Sequence, residues 1–332
     1  MKLRRWSGNP ILTPSPDLGW EKEAVYNPGA ILHQGKVHLL YRAVGEYERY
    51  SSRFGLAVSR DGFHFERVSD EPVFEPGAEY DKGGCEDPRI VKMEGEFLIT
   101  YAALPKPPCE YGDFIGTIRK LREDPLHPRI HVFSHTGLLR SGDLRSFRRV
   151  AMITPPDVDD RDGVLFPEKV GGRYLLLHRP TEWTGPEYGT ERPAIWLAGS
   201  HDLVHWTDHK LLLRPESTWE SLKIGAGPPP LRTPEGWLLI YHGVDGNFVY
   251  RAGIALLDLE RPEEVIARSP YPILEPEESY EKVGDIPNVV FPTGAVVLDG
   301  ELFVYYGAAD KVCCVATAPL EDLVDFVLKF KR

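Results

Sequence analysis

The chain has 332 residues, 42% of them hydrophobic, with 39 Lys and Arg against 50 Asp and Glu, for a formal charge of −11. That balance argues against nucleic acid or an anionic membrane as a partner, and no apolar run approaches the roughly 18 residues that a membrane-spanning helix needs. The four cysteines, Cys85, Cys109, Cys313 and Cys314, form no CxxC pair, so neither a disulfide framework nor a metal site is indicated.

Taken in chain order, the sequence repeats itself. Short apolar strands that end in a polar tip are expected at 38–42, 97–101, 175–179, 238–242 and 302–306, spaced 59 to 78 residues apart. Each follows a glycine turn, at Gly35, Gly95, Gly171-Gly172, Gly236 and Gly300. A unit of this length holds several strands. The expected fold is therefore all-β, a five-bladed β-propeller using 1–332 as one domain. Equivalent strands of such a ring line one channel, so their tips are expected to converge on one site.

Further along each unit comes Ser-x-Asp-x-x-x-aromatic, at Ser59-Arg60-Asp61, Ser141-Gly142-Asp143 and Ser200-His201-Asp202, ending in Phe65, Phe147 and Trp206. Ser and Asp side chains bond turn backbone, and the aromatic returns to the core, which describes a hairpin between outer strands. In the fourth unit Asp258-Leu259-Glu260 takes that place. The polar stretch 119–129, in the longest interval, reads as a strand extension or a surface insertion. Residues 320–330 carry apolar side chains at helical spacing, predicting a short closing helix. The N-terminal stretch is expected to pair into the last blade and remove an open sheet edge. Four Asn and one Gln against 30 Pro fit a thermophilic source. No secretory pattern follows Met1, so the expected location is the cytoplasm.

Two groups of residues carry chemistry. The first is Gly84-Cys85-Glu86-Asp87-Pro88-Arg89, where an Asp before Pro is held extended and presented at a strand start, with Arg89 able to orient it. The competing reading is a turn closed by an Asp–Arg ion pair. The second group is cationic: Arg161, Arg179, Lys223 and His242 occupy comparable positions in neighbouring repeats. Cations converging in an acidic protein imply a bound anion, most simply phosphate. The run Gly225 to Pro230 lacks the spacing of a nucleotide loop. One acid with several cations suits phosphorolysis, since phosphate is already a nucleophilic anion and needs no base to activate it, unlike the water of an inverting hydrolase.

The motifs Gly84-Cys85-Glu86-Asp87-Pro88-Arg89, Val164-Leu165-Phe166-Pro167-Glu168-Lys169, Leu222-Lys223-Ile224-Gly225-Ala226-Gly227-Pro228, Ile240-Tyr241-His242-Gly243-Val244, Pro287-Asn288-Val289-Val290-Phe291-Pro292 and Tyr305-Tyr306-Gly307-Ala308-Ala309-Asp310 together resemble glycoside hydrolase family 130. The resemblance spans nearly the whole chain in order. It implies a five-bladed propeller and an inverting phosphorylase that cleaves β-mannosides with inorganic phosphate, releasing α-mannose 1-phosphate without a cofactor. It makes Asp87 the general acid, acting through the 3-hydroxyl of the mannose. Arg161, Arg179, Lys223, His242 and Tyr250 then match phosphate-binding positions, while Asn27, Arg42, Arg89, Asp285 and Asp310 match positions that hold the mannosyl unit. One departure stands out: Asp162 sits where the family pattern leads one to expect Asn, and a carboxylate there repels phosphate unless it turns away. A β-mannosidase using water, and a non-catalytic carbohydrate-binding propeller, are the alternatives, and retention of the four cations argues against the first. Linkage (β-1,2 or β-1,4), acceptor sugar and assembly into a homo-oligomer stay open at this stage.

Overall fold

A computed structural model describes residues 1–332 as five antiparallel sheets arranged as a five-bladed β-propeller. Blade 1 contains Ala24–His33, Lys36–Val44, Ser52–Ser59 and Glu66–Arg67, in that order from the centre outward. Blade 2 contains Gly84–Met93, Glu96–Leu104, His135–Ser141 and Arg148–Met152. Blade 3 contains Asp160–Leu165, Tyr174–Pro180, Ile195–Ser200 and Thr207–Leu213. Blade 4 contains Lys223–Ala226, Gly236–Val244, Tyr250–Leu257 and Val265–Arg268, with Leu231–Thr233 pairing farther along the second strand. Blade 5 contains Val290–Leu298, Glu301–Ala308, Val312–Pro319 and finally Arg4–Arg5. That last strand comes from the N-terminus, with Arg4 opposite Thr317 and Arg5 opposite Ala316, so the ring closes by joining the two ends of the chain.

The strands that announce the repeat in the sequence are the second strands of the blades. The channel is lined instead by the first strands, which pack against one another around the ring. This corrects the expectation that the repeated strands themselves face the channel. It has a physical reason: second strands are covered on both faces by neighbouring blades, so they read as continuous apolar runs, whereas first strands carry the polar residues of the centre.

A lock recurs at the ends of these second strands. Tyr41 donates to Glu21 (2.7 Å), Tyr101 to Asp81 (2.8 Å), Tyr241 to Glu220 (3.0 Å) and Tyr306 to Glu281 (2.8 Å). Each buried acid comes from the segment entering the blade and is paired to an arginine of the outer strand: Arg67, Arg149, Arg268 and Arg5. Losing one partner of such a pair strands a buried charge, at a cost of about 3–5 kcal/mol. In blade 3, His178 replaces the tyrosine, with Nδ1 2.6 Å from Asp160 and Nε2 2.9 Å from His209. The locks are structural, and the residue after each one faces the centre: Arg42, Ala102, Arg179, His242 and Gly307.

The outer hairpins form as their sequence implies. Ser59 Oγ accepts from Gly62 N (2.9 Å) and Asp61 Oδ1 from Phe63 N and His64 N (2.9 Å each), and the Ser141/Asp143 and Ser200/Asp202 turns repeat the pattern. Asp258 caps the equivalent turn of blade 4. The closing helix runs Leu320–Leu328 and buries Leu323, Val324 and Val327 against blades 4 and 5. The long interval is a surface insertion and not a strand extension, and it lies within blade 2, between Glu96–Leu104 and His135–Ser141: a helix, Phe114–Glu123, forms there, started by Asp113 accepting from Gly116 N (2.9 Å). Its Ile118 packs against Tyr26 and Tyr50 of blade 1.

Candidate active site

One cavity of about 380 Å³ opens at the centre of the ring, between the first strands, the lock-following residues and the insertion. Three first strands deliver a side chain into it by the same device. Asn27, Asp87 and Asp162 each adopt positive φ (47°, 52° and 55°) where the pairing register slips, between Tyr26 and Gly29, Glu86 and Arg89, and Arg161 and Val164. This corrects the expectation that Pro88 holds Asp87 extended: Asn and Asp tolerate the left-handed conformation better than other side-chain-bearing residues, and a bulge re-aims a side chain out of the alternating pattern of its strand. The following residue is Pro28, Pro88 or Gly163; the prolines lack an N–H that the broken ladder would leave unpaired. Asp162 is thus the blade-3 counterpart of Asn27 and Asp87.

On one side of the cavity lies an acid cluster. Asn27 Nδ2 donates to Asp87 Oδ1 (2.8 Å), and Arg42 Nη1 reaches the same oxygen (3.3 Å). Arg42 is buried over the ring of Tyr26 (4.5 Å), donates through Nε to Ser52 Oγ (2.8 Å) and pairs through Nη2 with Glu86. Gly307 follows the blade-5 lock because a Cβ there would collide with Asn27 Oδ1, an atom left buried and unpartnered. Asp310 also lines this side. Burial, reinforced by the Asp87, Asp285 and Glu86 carboxylates and only partly offset by Arg42, raises its carboxyl to about 7.

Across the cavity lies the basic side. Arg179 Nε donates to Asp162 Oδ2 (2.7 Å), Arg89 Nη2 lies 3.5 Å from Oδ1 of the same carboxylate, and His242 Nε2 lies 3.6 Å from Oδ2. Burial alone would raise Asp162, but Arg179 and Arg89 hold it well below the usual carboxylate range. His242 sits between the rings of Tyr250 (6.1 Å) and Phe291 (4.5 Å). Burial, with Arg179, Lys223 and Arg89 nearby, pushes its imidazole down to about 3, outweighing the pull of Asp162. His242 is therefore a neutral hydrogen-bonding group at neutral pH, which corrects its reading as one of four cations. Lys223 holds its ammonium 5.3 Å from the centre of the Tyr250 ring and has no carboxylate partner. Arg161 lies 3.6 Å from Asp159 and donates to the carbonyl of Val132 in the insertion.

Asn27, Arg42, Asp87, Arg161, Arg179, Lys223, His242, Tyr250 and Asp310 all line this one cavity. Arg89 and Asp285 do not. Arg89 lies behind the wall, bonded to the carbonyls of Gly227 (3.2 Å) and Asp87 and facing Asp162. Asp285 is fully buried, accepting from Tyr47 (3.0 Å) and Tyr50 (2.9 Å) and pairing with Arg122 and Lys311. Both hold residues that line the wall and do not themselves reach the cavity. Lining residues that the sequence did not single out include Glu86, Tyr50, Arg129 and Phe248. The bulge residues had a readable signal, Asn or Asp before Pro or Gly, 14 residues ahead of the lock in blades 1 and 2 and 16 ahead in blade 3. The insertion residues had none.

The family described as beta-1,4-mannooligosaccharide phosphorylase, glycoside hydrolase family 130, matches residues 3–112 and 123–329. The unmatched gap falls on the insertion helix. The chain is 42% identical to the 1,2-beta-oligomannan phosphorylase of Thermoanaerobacter sp. (strain X514), over 97% of this chain and 99% of that one. It is 41% identical to the beta-1,2-mannobiose phosphorylase of the same organism, with the same coverage of both chains. The fold superposes on the beta-1,2-mannobiose phosphorylase from Listeria innocua, solved as its beta-1,2-mannobiose complex, with TM-score 0.81 at 27% identity, covering 98% of this chain and 99% of that one.

Proposed function

The chain belongs to glycoside hydrolase family 130 and is a β-mannoside phosphorylase, and from that premise we propose that it cleaves β-1,2-linked manno-oligosaccharides with inversion, giving α-mannose 1-phosphate. The linkage rests on the two relatives above 40% identity, both of which carry β-1,2 activity in their names, whereas the family description carries β-1,4.

In this reading the mannosyl unit lies on the acid side, held by Asn27, Arg42 and Asp310. Phosphate lies opposite, among Arg161, Arg179, Lys223, His242 and Tyr250. An oxygen of phosphate attacks the anomeric carbon from the face opposite the leaving group. The bond from that carbon to the glycosidic oxygen breaks, and the proton of Asp87 passes by way of the mannose 3-hydroxyl to the departing oxygen. Arg89 and Asp285 act at one remove, the first by fixing Asp162 and the second by fixing Tyr50. The transition state gains from charges already in place before the reaction, which need no reorganisation as the bond breaks.

The observation that carries phosphorolysis over hydrolysis is Lys223. A pocket built for water as nucleophile has no use for an unpaired ammonium beside Tyr250 and His242, whereas a phosphate needs one. Glu86, Asp159 and Asp162 are each engaged by arginine. The test is reverse synthesis from α-mannose 1-phosphate against a panel of acceptor sugars, with product linkages assigned by NMR. A β-1,2-mannoside is the expected product. A β-1,4 product overturns the linkage, and free mannose without transfer overturns phosphorolysis.

A further inference from the structure

The insertion between the second and third strands of blade 2 does more than cover the ring. Arg129 lies just beyond its helix and lines the cavity. Its guanidinium stacks on the ring of Phe248 at 3.9 Å, and Nη1 donates to the carbonyl of Pro125 (3.3 Å). Nε and Nη2 are buried with no partner at all. A buried guanidinium edge with nothing to bond costs about 1–3 kcal/mol or more, which a folded chain tolerates where a ligand supplies the missing acceptors.

The charges of the cavity say what that ligand is. Arg42 is paired with Glu86 and Asp87, Arg179 with Asp162 and Arg161 with Asp159. The remaining cations, Lys223 and Arg129, form no salt bridge, although Asp310 lies near enough to Arg129 to act on its charge. Both lie over rings of one short segment: Lys223 over Tyr250 and Arg129 over Phe248, two residues earlier in the same blade. The insertion that carries Arg129 is tied down on both sides of it. Arg122 pairs with Asp285, while His131 Nε2 lies 3.3 Å from Asp159 and Arg161 bonds the Val132 carbonyl. Arg129 is thus held over the cavity, near Tyr250 and Asp310, and does not trail in solvent.

We propose that Arg129 is a phosphate-binding residue, which with Lys223 supplies the two unpaired positive charges that match the one to two negative charges of phosphate near neutral pH. This rests on the phosphorylase reading above and deepens it. The anion site is not complete within the blades: the insertion closes it, and its guanidinium fork offers two donors to one phosphate. An arginine suits this better than a lysine, because the planar fork bonds two phosphate oxygens at once while its face stays stacked on Phe248.

The test is calorimetric titration of inorganic phosphate into the parent protein and into Arg129→Gln, Arg129→Met, Arg129→Lys and Lys223→Ala, with β-1,2-mannobiose titrated in parallel. Arg129→Met keeps the stem on Phe248 without the charge. Both uncharged Arg129 variants are expected to weaken phosphate about tenfold, which is about 1.4 kcal/mol. Arg129→Lys is expected to recover most of that loss, and mannobiose affinity is expected to stay within twofold. If Lys223→Ala loses phosphate but both uncharged Arg129 variants keep it, the proposal is wrong and the phosphorylase site stands. The proposal also fails if those variants lose mannobiose and keep phosphate, since Arg129 then serves the sugar. If neither Lys223→Ala nor the Arg129 variants weaken phosphate, the anion site itself has been misplaced.

Discussion

Replacing Asp162 by Asn gives the sharpest link between the architecture of the site and its chemistry. The carboxylate is buried and faces Arg179 at 2.7 Å, Arg89 at 3.5 Å and His242 at 3.6 Å. Removing one partner of a buried pair costs about 3–5 kcal/mol. Asn keeps an oxygen for Arg179 Nε, so the lower end applies, about 3 kcal/mol. For a chain of this length each kcal/mol moves the melting temperature by about 2 °C, so Asp162→Asn should melt about 6 °C lower in phosphate-free buffer. Phosphate changes the result. It brings back the negative charge that Arg179 has lost, so its affinity for the variant should rise severalfold. Phosphate stabilises both proteins, but at excess it favours the variant by RT times the logarithm of the affinity ratio, about 1 kcal/mol for a severalfold difference, so the gap between variant and parent should narrow as phosphate is added. The assay is a set of melts at one scan rate across a phosphate series. An equal melting temperature without phosphate, or a gap that phosphate leaves untouched, would refute the reasoning.

Asp87→Asn should lower phosphorolysis and reverse synthesis alike, by about 10²- to 10⁴-fold, while calorimetry shows phosphate binding retained; loss of phosphate binding would mean that the variant disturbs more than proton transfer. Asp310 gives a pH signature. Its folded carboxyl is raised to about 7 from the ordinary aspartate value, so the stability it contributes is fully present below about pH 4 and is lost as pH rises through 7. Asp310→Asn cannot titrate, and its melting temperature should therefore gain on the parent between pH 5 and pH 8. A difference that stays flat over that range contradicts the assignment.

The repeat was readable because second strands are buried on both faces and keep their apolar runs in every blade. The same burial misdirected the expectation about the channel, since the most regular strand in a blade is not the one at the centre. Tyr101 and Tyr306 illustrate this: they sit at strand tips, yet each turns away from the cavity to lock an acid against an arginine. The residues that matter follow one position later: Arg42, Arg179 and His242 in blades 1, 3 and 4, with Ala102 and Gly307 in the other two. Asp162 looked like a misfit beside cations when read alone. In the ring it occupies the bulge that also presents Asn27 and Asp87, and its charge is answered by Arg179 and Arg89. His242 read as a cation because the sequence cannot report desolvation. Arg129 was beyond reach for a different reason: its position depends on how an insertion folds back across two blades, and no periodicity encodes that.

The most direct test of the account is to incubate the enzyme with β-1,2-mannobiose with and without inorganic phosphate and to identify the first product by ¹H and ³¹P NMR. The account predicts α-mannose 1-phosphate and free mannose in equal amounts when phosphate is present, and no cleavage when it is absent. Release of mannose alone at a comparable rate without phosphate, or a β-configured sugar phosphate, would contradict it.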